Sequence, residues 1–235
     1  MSHPDSLIPS VVAGLEQQSS GRRRLLDEGA RHLGWKAGFG TPAAMAKLGT
    51  QAPLIGYMTD RSLLAGGATV AIADWGTPVL EPEVAVRLGS DLAPGGDRDA
   101  AVAAIDAVAT AIELIDLDGP ADDVETILAG NIFHRHVLLG AFTPLSADLR
   151  LDTVALDVVQ GTDDVRAQGA DPAGLLGDLA EVVRHLADQA PNAGDPLRAG
   201  DVIITGSAIP GVPISSGEQF EVRAGGLAPV SVRLT

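Results

Sequence analysis

The sequence predicts an α+β protein with a small helical N-terminal part and a strand-rich remainder. Apolar residues recur at helical spacing within residues 6–33, whereas apolar and β-branched residues alternate as in strands from about residue 68. Hydrophobic residues make up 46% of the 235-residue chain, which is enough to bury a sizeable core. We divide the chain into a small α/β part over residues 1–65 and a β-rich domain with the candidate catalytic residues over residues 66–235.

Two helices and two strands are predicted in the N-terminal part. A helix over residues 6–33 comes first, and a strand broken by glycines follows over Trp35–Gly40. A second helix begins at Thr41, a good N-cap before a proline, and ends at Gly49. A short strand over Leu54–Met58 completes this part.

The remainder alternates predicted strands with two helices. One helix is capped by Asp99, and Val102, Ile105, Ala109 and Ile112 mark its buried face. An amphipathic helix spans residues 174–189 and ends before a proline. The predicted strands cover residues 68–72, 80–88, 111–116, 131–140 and 151–160, with others in 197–207 and around Phe220 and Val230.

The charge and the cysteine content exclude several classes of function. The net charge is -15, which repels nucleic acid phosphates and anionic membrane surfaces. Cysteine is absent, so thiol chemistry and disulfides are excluded. The N-terminus lacks the basic and apolar regions of a secretory signal, and no apolar run is long enough for a membrane span. We expect a soluble cytoplasmic protein.

Two glutamates two positions apart, Glu81 and Glu83, open an apolar run that is predicted to be a strand. Residues at this spacing lie on the same face of a strand. Two like charges on one face repel, which indicates a cation between them or a shared proton. A solvated strand edge is the alternative interpretation.

A third carboxylate, Glu113, lies between Ile112 and Leu114 on a mainly apolar predicted strand. A buried charge of this kind needs a partner, because leaving it unpaired costs several kcal/mol. If the sheet brings Glu113 beside Glu81 and Glu83, the three form an all-oxygen site suited to Mg²⁺ or Mn²⁺. Asp116 follows three residues later and is expected to point to the other face.

Lysine is rare in this chain, which contains only Lys36 and Lys47. Lys47 fits the solvated face of a helix, but Lys36 lies in the apolar, glycine-rich segment Gly34–Gly40. A compact ammonium in that setting needs a partner, which favours a functional role. The alternative is a lysine whose stem is buried at a strand edge while its head reaches water.

Two histidines, His134 and His136, share a strand face if the strand is regular. Three roles fit such a pair: binding of a softer metal such as Zn²⁺, an acid/base or substrate contact, and structural hydrogen bonding. No further nitrogen or sulfur ligand lies nearby in sequence, so the acids form the better metal site. The sequence also contains neither a Gly-x-Ser-x-Gly nucleophile motif nor a phosphate-binding P-loop.

Four motifs in a fixed order resemble those of a known family. They are Gly-Trp-Lys-Ala-Gly at 34–38, Glu-Pro-Glu at 81–83, Glu-Leu-Ile-Asp at 113–116 and the segment Leu197–Ser207. From about Arg31 to the C-terminus, the sequence resembles the 2-keto-4-pentenoate hydratase and 4-oxalocrotonate decarboxylase family of the fumarylacetoacetate hydrolase superfamily. The resemblance implies a mixed β-sheet roll or partly closed β-barrel, bound Mg²⁺ or Mn²⁺, and homo-oligomers.

The resemblance also implies roles for individual residues. Three acids would bind the metal, Lys36 would lie beside the substrate, and a Thr-Gly-Ser segment would lie near its carboxylate. The metal set is Glu81, Glu83 and Glu113, and the substrate-binding set is Asn131, Thr205, Gly206 and Ser207. The catalytic set is Lys36 and Asp60, to which the histidine pair considered above, and not the resemblance, adds His134.

The implied activity is the addition of water to a 2-hydroxydienoate such as 2-hydroxypenta-2,4-dienoate. The substrate would be a small 2-oxo or 2-hydroxy acid, and a pathway aldolase or a paralogue is a further expected partner. Decarboxylation of a 2-oxo-enedioate, C–C hydrolysis of an acylpyruvate and a non-catalytic role beside an active paralogue remain alternatives.

The chain departs from the family pattern in three places, one of which is the loop at residues 161–164 after Gln160. Gly130–Phe133 stands where hydratases carry Asp-Asn-Ala-Ser, so Asn131 is kept but the neighbouring acid and serine are absent. Asp60 and Arg61 fall where family members have an acidic loop. We expect these differences to act on the choice of substrate rather than on the metal site.

Overall fold

The computed structural model describes residues 8–146, 154–161, 164–169, 178–207 and 209–235. The helices within these ranges are α1 (Pro9–Asp27), α2 (Pro42–Leu48), α3 (Arg98–Ala104), α4 (Val124–Ala129) and α5 (Leu179–Gln189), which continues into a short 3₁₀ helix (Ala190–Ala193). The strands are β1 (His32–Gly38), β2 (Leu54–Thr59), β3 (Leu63–Leu64), β4 (Thr69–Val70), β5 (Pro78–Leu88), β6 (Ile105–Asp116), β7 (His134–Leu139), β8 (Thr143–Pro144), β9 (Leu156–Gln160), β10 (Asp164–Gly169), β11 (Val202–Ile204), β12 (Val212–Pro213), β13 (Gln219–Ala224) and β14 (Val230–Leu234).

These strands form two sheets. The larger has the order β2-β1-β11-β5-β6-β7-β3, with β12 pairing with β5 and β8 with β6. It is mixed, because β1 pairs with β11 and β3 with β7 in parallel while its other pairs are antiparallel. The smaller sheet has the order β10-β9-β13-β14-β4. The predicted strands around Phe220 and Val230 are confirmed as β13 and β14.

The larger sheet curls back on itself. Its two ends in the strand order, β2 and β3, are joined in the chain by only residues 60–62, so the ends must lie close together. A small apolar cluster fills the inner side, made largely of small and β-branched residues: Met58, Ala85, Ala109, Ala111, Val137, Val202 and Ile204. The predicted α+β fold with a rolled, partly closed sheet is therefore confirmed.

The long ribbon of β5 and β6 separates two environments. On its outer face, apolar residues such as Leu80, Val84 and Ile112 join the main core with residues of the smaller sheet and of α5. On its inner face lie the glutamates and then alanines, with Ala85 opposite Ala109. Small residues here leave room for the sheet to curl, and the glutamates occupy one end of the inner side.

Helix α1 packs beside the sheet and is tied to it by polar side chains. Gln18 donates to the carbonyls of Ile55 on β2 and Leu128 on α4, both at 3.0 Å. Strands β1, β2 and β3 belong to the same sheet as β5, β6 and β7. The predicted division at residue 65 therefore does not separate two sheets.

Two predicted helices end earlier than expected. Helix α1 stops at Asp27, and Leu33 belongs to β1. The predicted helix through Ile105, Ala109 and Ile112 is wrong, because α3 ends at Ala104 and these residues lie in β6. A strand buried on both faces shows no polar alternation, so its apolar run resembles a buried helix face. Asp97, not Asp99, caps α3 by accepting from the Ala100 amide.

Helix α2 agrees with its prediction, since the Thr41 hydroxyl accepts from the Ala44 amide and Gly49 is left-handed. The first residues of the predicted strand 151–160 and of the predicted helix 174–189 lie outside the described residues. The rest of the predicted strand contains β9, and the rest of the predicted helix contains α5. None of the helices in the described residues is long and apolar enough to cross a membrane.

Candidate metal centre

The three glutamates singled out from the sequence meet on the inner face of the β5–β6 ribbon. Glu81 lies directly opposite Glu113 in the strand register, and Glu83 follows two residues later on the same face. One carboxylate oxygen from each of the three lies within 4.8 Å of the others. We call Glu81, Glu83 and Glu113 the carboxylate cluster.

Burial and mutual repulsion disfavour the charged form of two of these glutamates. Burial, followed by the charge of Glu113, raises the pKa of Glu81 to about 7. Burial and then the charges of Glu113 and Glu81 raise the pKa of Glu83 well above its ordinary value. Without a cation, the cluster therefore holds protons that free glutamates would release at neutral pH.

Glu113 behaves in the opposite way. Burial acts to raise its pKa, but the charge of Lys36 and the hydrogen bond from His134 outweigh burial and lower it. The Lys36 ammonium pairs with Glu113 Oε1, and His134 Nδ1 lies 2.6 Å from the same oxygen. Glu113 is therefore the ionised member of the cluster, fixed through one of its two oxygens.

The inner strands place Lys36 in this position. Lys36 on β1 pairs with Ile204 on β11 and with Gly56 on β2. A Cβ at Gly56 would lie 2.7 Å from Lys36 Cγ, so the absence of a side chain at Gly56 gives the lysine stem its path. The side chain of Lys36 is almost entirely buried, at 1% exposure. The alternative, a lysine at a strand edge whose head reaches water, is therefore wrong.

A tight turn over residues 131–133 provides a second partner for Lys36. Asn131, Ile132 and Phe133 all have positive φ values, of 54°, 53° and 60°. The Asn131 side chain holds the turn against β2, accepting from the Tyr57 amide and donating to the Tyr57 carbonyl, each at 2.9 Å. As a result the Ile132 carbonyl accepts from Lys36 Nζ at 3.1 Å. Strain of this kind is concentrated at functional sites.

This turn corrects the prediction of a strand over residues 131–140. The strand β7 begins only at His134, because three consecutive left-handed residues cannot continue an extended chain. The side-chain amide of Asn131 is hydrogen-bonded to the backbone of β2, so the structure does not bring this side chain to the carboxylate cluster.

The segment after β11 lies along β5. The Gly206 amide donates to Glu83 Oε2 at 2.7 Å, and the Thr205 hydroxyl donates to the Val84 carbonyl at 3.0 Å. The Ser207 hydroxyl lies 2.6 Å from the Ile209 carbonyl and 3.1 Å from that of Pro82. Thr205, Gly206 and Ser207 thus lie next to the cluster, and Gly206 contacts it directly.

Asp60, like Asn131, is a predicted site residue that the structure places away from the carboxylate cluster. Its carboxylate accepts from the backbone and the side chain of Arg31, both at 2.8 Å, at the start of the β1–β2 pair. Arg31 precedes Lys36 by five residues, which corresponds to roughly 16 Å along an extended strand. Asp60 therefore pairs with arginine at the molecular surface and does not join Lys36 or His134.

The two histidines of β7 do not share a face. His136 pairs with Leu114 and His134 with Ile115, and the intervening irregularity places His134 alone on the side of Glu113. The His136 ring stacks on Trp75 with centroids 6.1 Å apart. Asp116, expected to point to the other face from Glu113, accepts from the Gly76 and Thr77 amides at 3.2 and 2.8 Å.

Several contributions to the site were missed by the sequence reasoning. It did not find the Gly206 amide, the Ile132 carbonyl or the contact between His134 and Glu113. Backbone groups carry no residue signature, and the bulge in β7 has no glycine to mark it. The glycine at position 56, inside a predicted strand, was the available signal of a close approach.

The donor set of the cluster fits a hard divalent cation. Glu83 Oε1 and Glu113 Oε2 are buried and have no hydrogen-bond partner among the described residues. Buried polar atoms are nearly always paired, so two such carboxylate oxygens in one cluster indicate a ligand. Oxygen-only donors suit Mg²⁺, Mn²⁺ or Ca²⁺. Fold and site together define a class: a rolled-sheet α+β protein with a carboxylate cluster beside a buried lysine, whose oxygen donors fit a cation.

Comparison with known proteins gives this class a family. The chain belongs to the fumarylacetoacetate (FAA) hydrolase C-terminal family, which matches residues 34–235. It is 31% identical over 217 residues to 2-keto-4-pentenoate hydratase 2 of Dechloromonas aromatica, covering 91% of this chain and 82% of that protein. It is 30% identical over 215 residues to 4-oxalocrotonate decarboxylase of Pseudomonas sp. strain CF600, covering 90% of this chain and 81% of that protein.

A solved structure agrees in both fold and length. The 4-oxalocrotonate decarboxylase of Pseudomonas putida G7, complexed with magnesium and adipate, superposes with a TM-score of 0.87 at 28% identity. The superposition covers 94% of this chain and 85% of that chain. The resemblance to the hydratase and decarboxylase family that the four sequence motifs indicated is confirmed.

Proposed function

We propose that this protein is a divalent-metal-dependent hydratase that adds water to a 2-hydroxydienoate such as 2-hydroxypenta-2,4-dienoate. The observation that carries the proposal is the pair of unpartnered, buried carboxylate oxygens, Glu83 Oε1 and Glu113 Oε2, in a cluster that Lys36 enters. The similarity to 2-keto-4-pentenoate hydratase 2 supports the reaction class. The magnesium in the decarboxylase complex of similar fold supports the kind of cofactor.

Glu81, Glu83 and Glu113 would hold the cation, for which Mg²⁺ or Mn²⁺ is our specific proposal. When bound, the cation would supply Lewis-acid polarisation of a 2-oxo or 2-hydroxy acid through its carboxylate and C2 oxygen. The cluster's two raised pKa values mean that metal binding must displace protons from Glu81 and Glu83. Glu113 needs no such displacement, since Lys36 and His134 keep it ionised.

We propose Lys36 as the catalytic group beside the substrate. An ammonium has three N–H donors, and two of those of Lys36 go to Glu113 Oε1 and the Ile132 carbonyl. The third can donate to the C2 oxygen, which bears negative charge after the enol proton leaves and loses it when protonation of C5 turns the dienolate into a ketone. Water then adds to the remaining conjugated double bond. The Thr205–Ser207 segment, held on β5, would lie along the substrate carboxylate.

Decarboxylation of a 2-oxo-enedioate is the second candidate function. The fold similarity to the Pseudomonas putida decarboxylase and the 30% identity to its relative from strain CF600 favour it. Both reactions need the same electron sink at C2, so the cluster and Lys36 serve either one. We also propose a homo-oligomer, which size-exclusion chromatography with light scattering will measure.

One experiment separates these functions. The purified protein is freed of metal with a chelator and reloaded with Mg²⁺ or Mn²⁺, then mixed with 2-hydroxypenta-2,4-dienoate or 2-oxo-3-hexenedioate. A hydratase bleaches the dienol absorbance of the first, whereas a decarboxylase releases CO₂ from the second. Glu83→Gln is the inactive control. If neither substrate reacts and the protein binds neither ion, the lyase proposal is wrong.

A further inference from the structure

We propose that His134 is a positioning residue for the metal centre: it fixes Glu113 through Oε1, so that Oε2 is the oxygen left for the cation. The inference rests on the proposed metal site and deepens it, since it assigns a role to the side chain that directly follows Gly130–Phe133, where the chain departs from the family pattern. His134 would act on the ion through Glu113 and not as a ligand.

The first step is the unequal use of the two Glu113 oxygens. Oε1 contacts both the Lys36 ammonium and His134 Nδ1, the latter at 2.6 Å. Oε2 is buried and has no partner among the described residues. Because the glutamate side chain is completely buried and Oε1 has two donors, the carboxylate cannot rotate without breaking both contacts.

The second step is the tautomer of His134. A carboxylate oxygen only accepts hydrogen bonds, so the short contact requires the proton on Nδ1. Nδ1 is thereby committed to Glu113. The ligand atoms that lie within 4.8 Å of one another come from the three carboxylates, and the imidazole is not among them. An imidazole that donates to a ligating carboxylate is an outer partner, of the kind that orients ligands and tunes metal affinity.

The third step is how the fold selects this histidine. In antiparallel pairs, directly opposed residues share a face, and Glu113 pairs with Val137. Without an irregularity, Arg135 would oppose Ile115 and reach the face of Glu113. The bulge makes Arg135 the extra residue, so His134 opposes Ile115 instead. Arg135 then bonds Asp116 and Asp118, away from the cluster.

Asparagine and glutamine substitutions distinguish a positioning role from a space-filling one. The amide nitrogen of Asn can occupy the place of Nδ1, whereas that of Gln reaches the place of Nε2. His134→Asn therefore retains a donor to Glu113 Oε1, while His134→Gln and His134→Leu do not. His136→Asn is the matched control, because that ring stacks on Trp75 on the other side of the bulge.

The experiment is calorimetric titration of the chelator-treated protein with Mn²⁺ alone, which requires no substrate. We expect His134→Gln and His134→Leu to weaken Mn²⁺ binding by roughly 10- to 100-fold, as outer-partner substitutions do. His134→Asn should retain most of the affinity, and His136→Asn should match the unmodified protein. The electron paramagnetic resonance spectrum of bound Mn²⁺ should change in the Gln variant and be restored in the Asn variant.

Three results would overturn the inference or its basis. If His134→Leu or His134→Gln binds Mn²⁺ as tightly as the unmodified protein, His134 does not position Glu113. If the Asn variant is as weak as the Gln variant, the ring only fills space; this comparison also decides the matter should the Leu variant fail to fold. If the unmodified protein binds no Mn²⁺, it is the proposed metal-dependent function that fails.

Discussion

Two polar clusters lie along the same two strands, and they use their charges in different ways. The first is the carboxylate cluster, to which β1 contributes Lys36 and to which the segment after β11 contributes the Gly206 amide. The second, which we call the anchor cluster, lies where the same strands begin. It consists of Arg22, His32, Trp35, Asp195 and Asp201.

In the anchor cluster, the charges of the carboxylates are largely compensated by basic side chains of the same cluster. Arg22 Nη1 lies 2.7 Å from Asp195 Oδ2, and His32 Nε2 lies 3.3 Å from Asp201 Oδ1. The other Asp201 oxygen accepts from Trp35 Nε1 at 3.2 Å, and the Arg22 guanidinium lies 5.0 Å from the centre of the Trp35 ring. Each carboxylate faces a basic side chain. The buried atom of this cluster that lacks a hydrogen-bond partner among the described residues, Arg22 Nε, is a donor, so the cluster joins α1, β1 and β11 without a surplus of carboxylate oxygens.

The carboxylate cluster is not compensated in this way. Three carboxylates face a single buried ammonium and one imidazole whose pKa is lowered by burial. Two carboxylate oxygens have no partner among the residues that the structure describes. Burial of charge alone therefore does not identify a site. Clustered carboxyl groups that hold protons and leave oxygens unused do, because their ionised form is costly unless a cation arrives.

The strongest test of this difference is removal of one carboxylate charge from each cluster. Glu83→Gln should abolish measurable Mn²⁺ binding and activity, an effect larger than the roughly 10- to 100-fold typical of outer partners. The metal-free fold should not lose stability, because a repelled, buried carboxyl is replaced by a neutral amide. Calorimetric titration and thermal unfolding measure the two quantities. Asp201→Asn is the matched control and should bind Mn²⁺ normally; equal losses of binding in both variants would remove the distinction.

The second test removes the cation that compensates Glu113. Lys36→Met leaves a completely buried, ionised carboxylate without its main partner, and breaking a buried ion pair in this way costs about 3–5 kcal/mol of unfolding free energy. Urea denaturation of the metal-free protein measures the loss. Combining Lys36→Met with Glu113→Gln should recover much of the stability, since the unpaired charge is then gone. Additive losses in the double variant would contradict the pairing.

The sequence was sufficient for the parts of the site that depend on local spacing. Glu81 and Glu83 share a face because strands have a period of two, and Lys36 stood out because the chain contains only two lysines. Glu113 was recognised as a charge in an apolar strand. These arguments, with the order of four motifs, predicted the family and the rolled sheet.

What the sequence could not provide depends on non-local pairing. The bulge that puts His134 beside Glu113 arises in the β6–β7 register, and no local pattern encodes it. The prediction of a helix through Ala109 and Ile112 failed for a related reason. Both residues are buried on a two-sided strand, where apolar periodicity does not distinguish a strand from a helix.

The anchor cluster illustrates the same limit. Arg22 stands in a run of three arginines, a pattern typical of a solvated helix face, yet it is buried and pairs with Asp195, 173 residues away in the chain. Asp60 was placed in the catalytic set by its position in an acidic loop, but its nearest cation is Arg31. Partner choice across such distances follows from the packing of whole elements, which single residues do not reveal.

The third test addresses the anchor cluster itself. Asp201→Ala removes the acceptor of the Trp35 indole, the Arg198 amide and His32, leaving buried donors without a partner. We expect a loss of about 1–3 kcal/mol in unfolding free energy, measured by urea denaturation. Mn²⁺ affinity should stay unchanged, since the carboxylate cluster keeps all of its members. A large loss of Mn²⁺ affinity with little loss of unfolding free energy would show that the two clusters are energetically coupled.

The smallest expected effect is the pH dependence that only the carboxylate cluster should have. The pKa of Glu81 is raised to about 7, so below that pH Mn²⁺ must displace a proton, and affinity falls by roughly tenfold per pH unit for each proton displaced. Glu81→Gln should weaken Mn²⁺ binding but reduce the dependence of affinity on pH, whereas Asp201→Asn should leave that dependence intact.

The stability of the metal-free fold should change with pH in the opposite direction. A carboxyl with a raised pKa contributes stability that is present below its unfolded pKa, near 4.5, and is lost as the pH rises through about 7. Titrations with Mn²⁺ between about pH 5.5 and 8.5, in two buffers of different ionisation enthalpy, count the protons released. An unchanged slope in Glu81→Gln would mean that the displaced protons come from elsewhere, and Glu83, whose pKa is also raised, would be the carboxyl to substitute next.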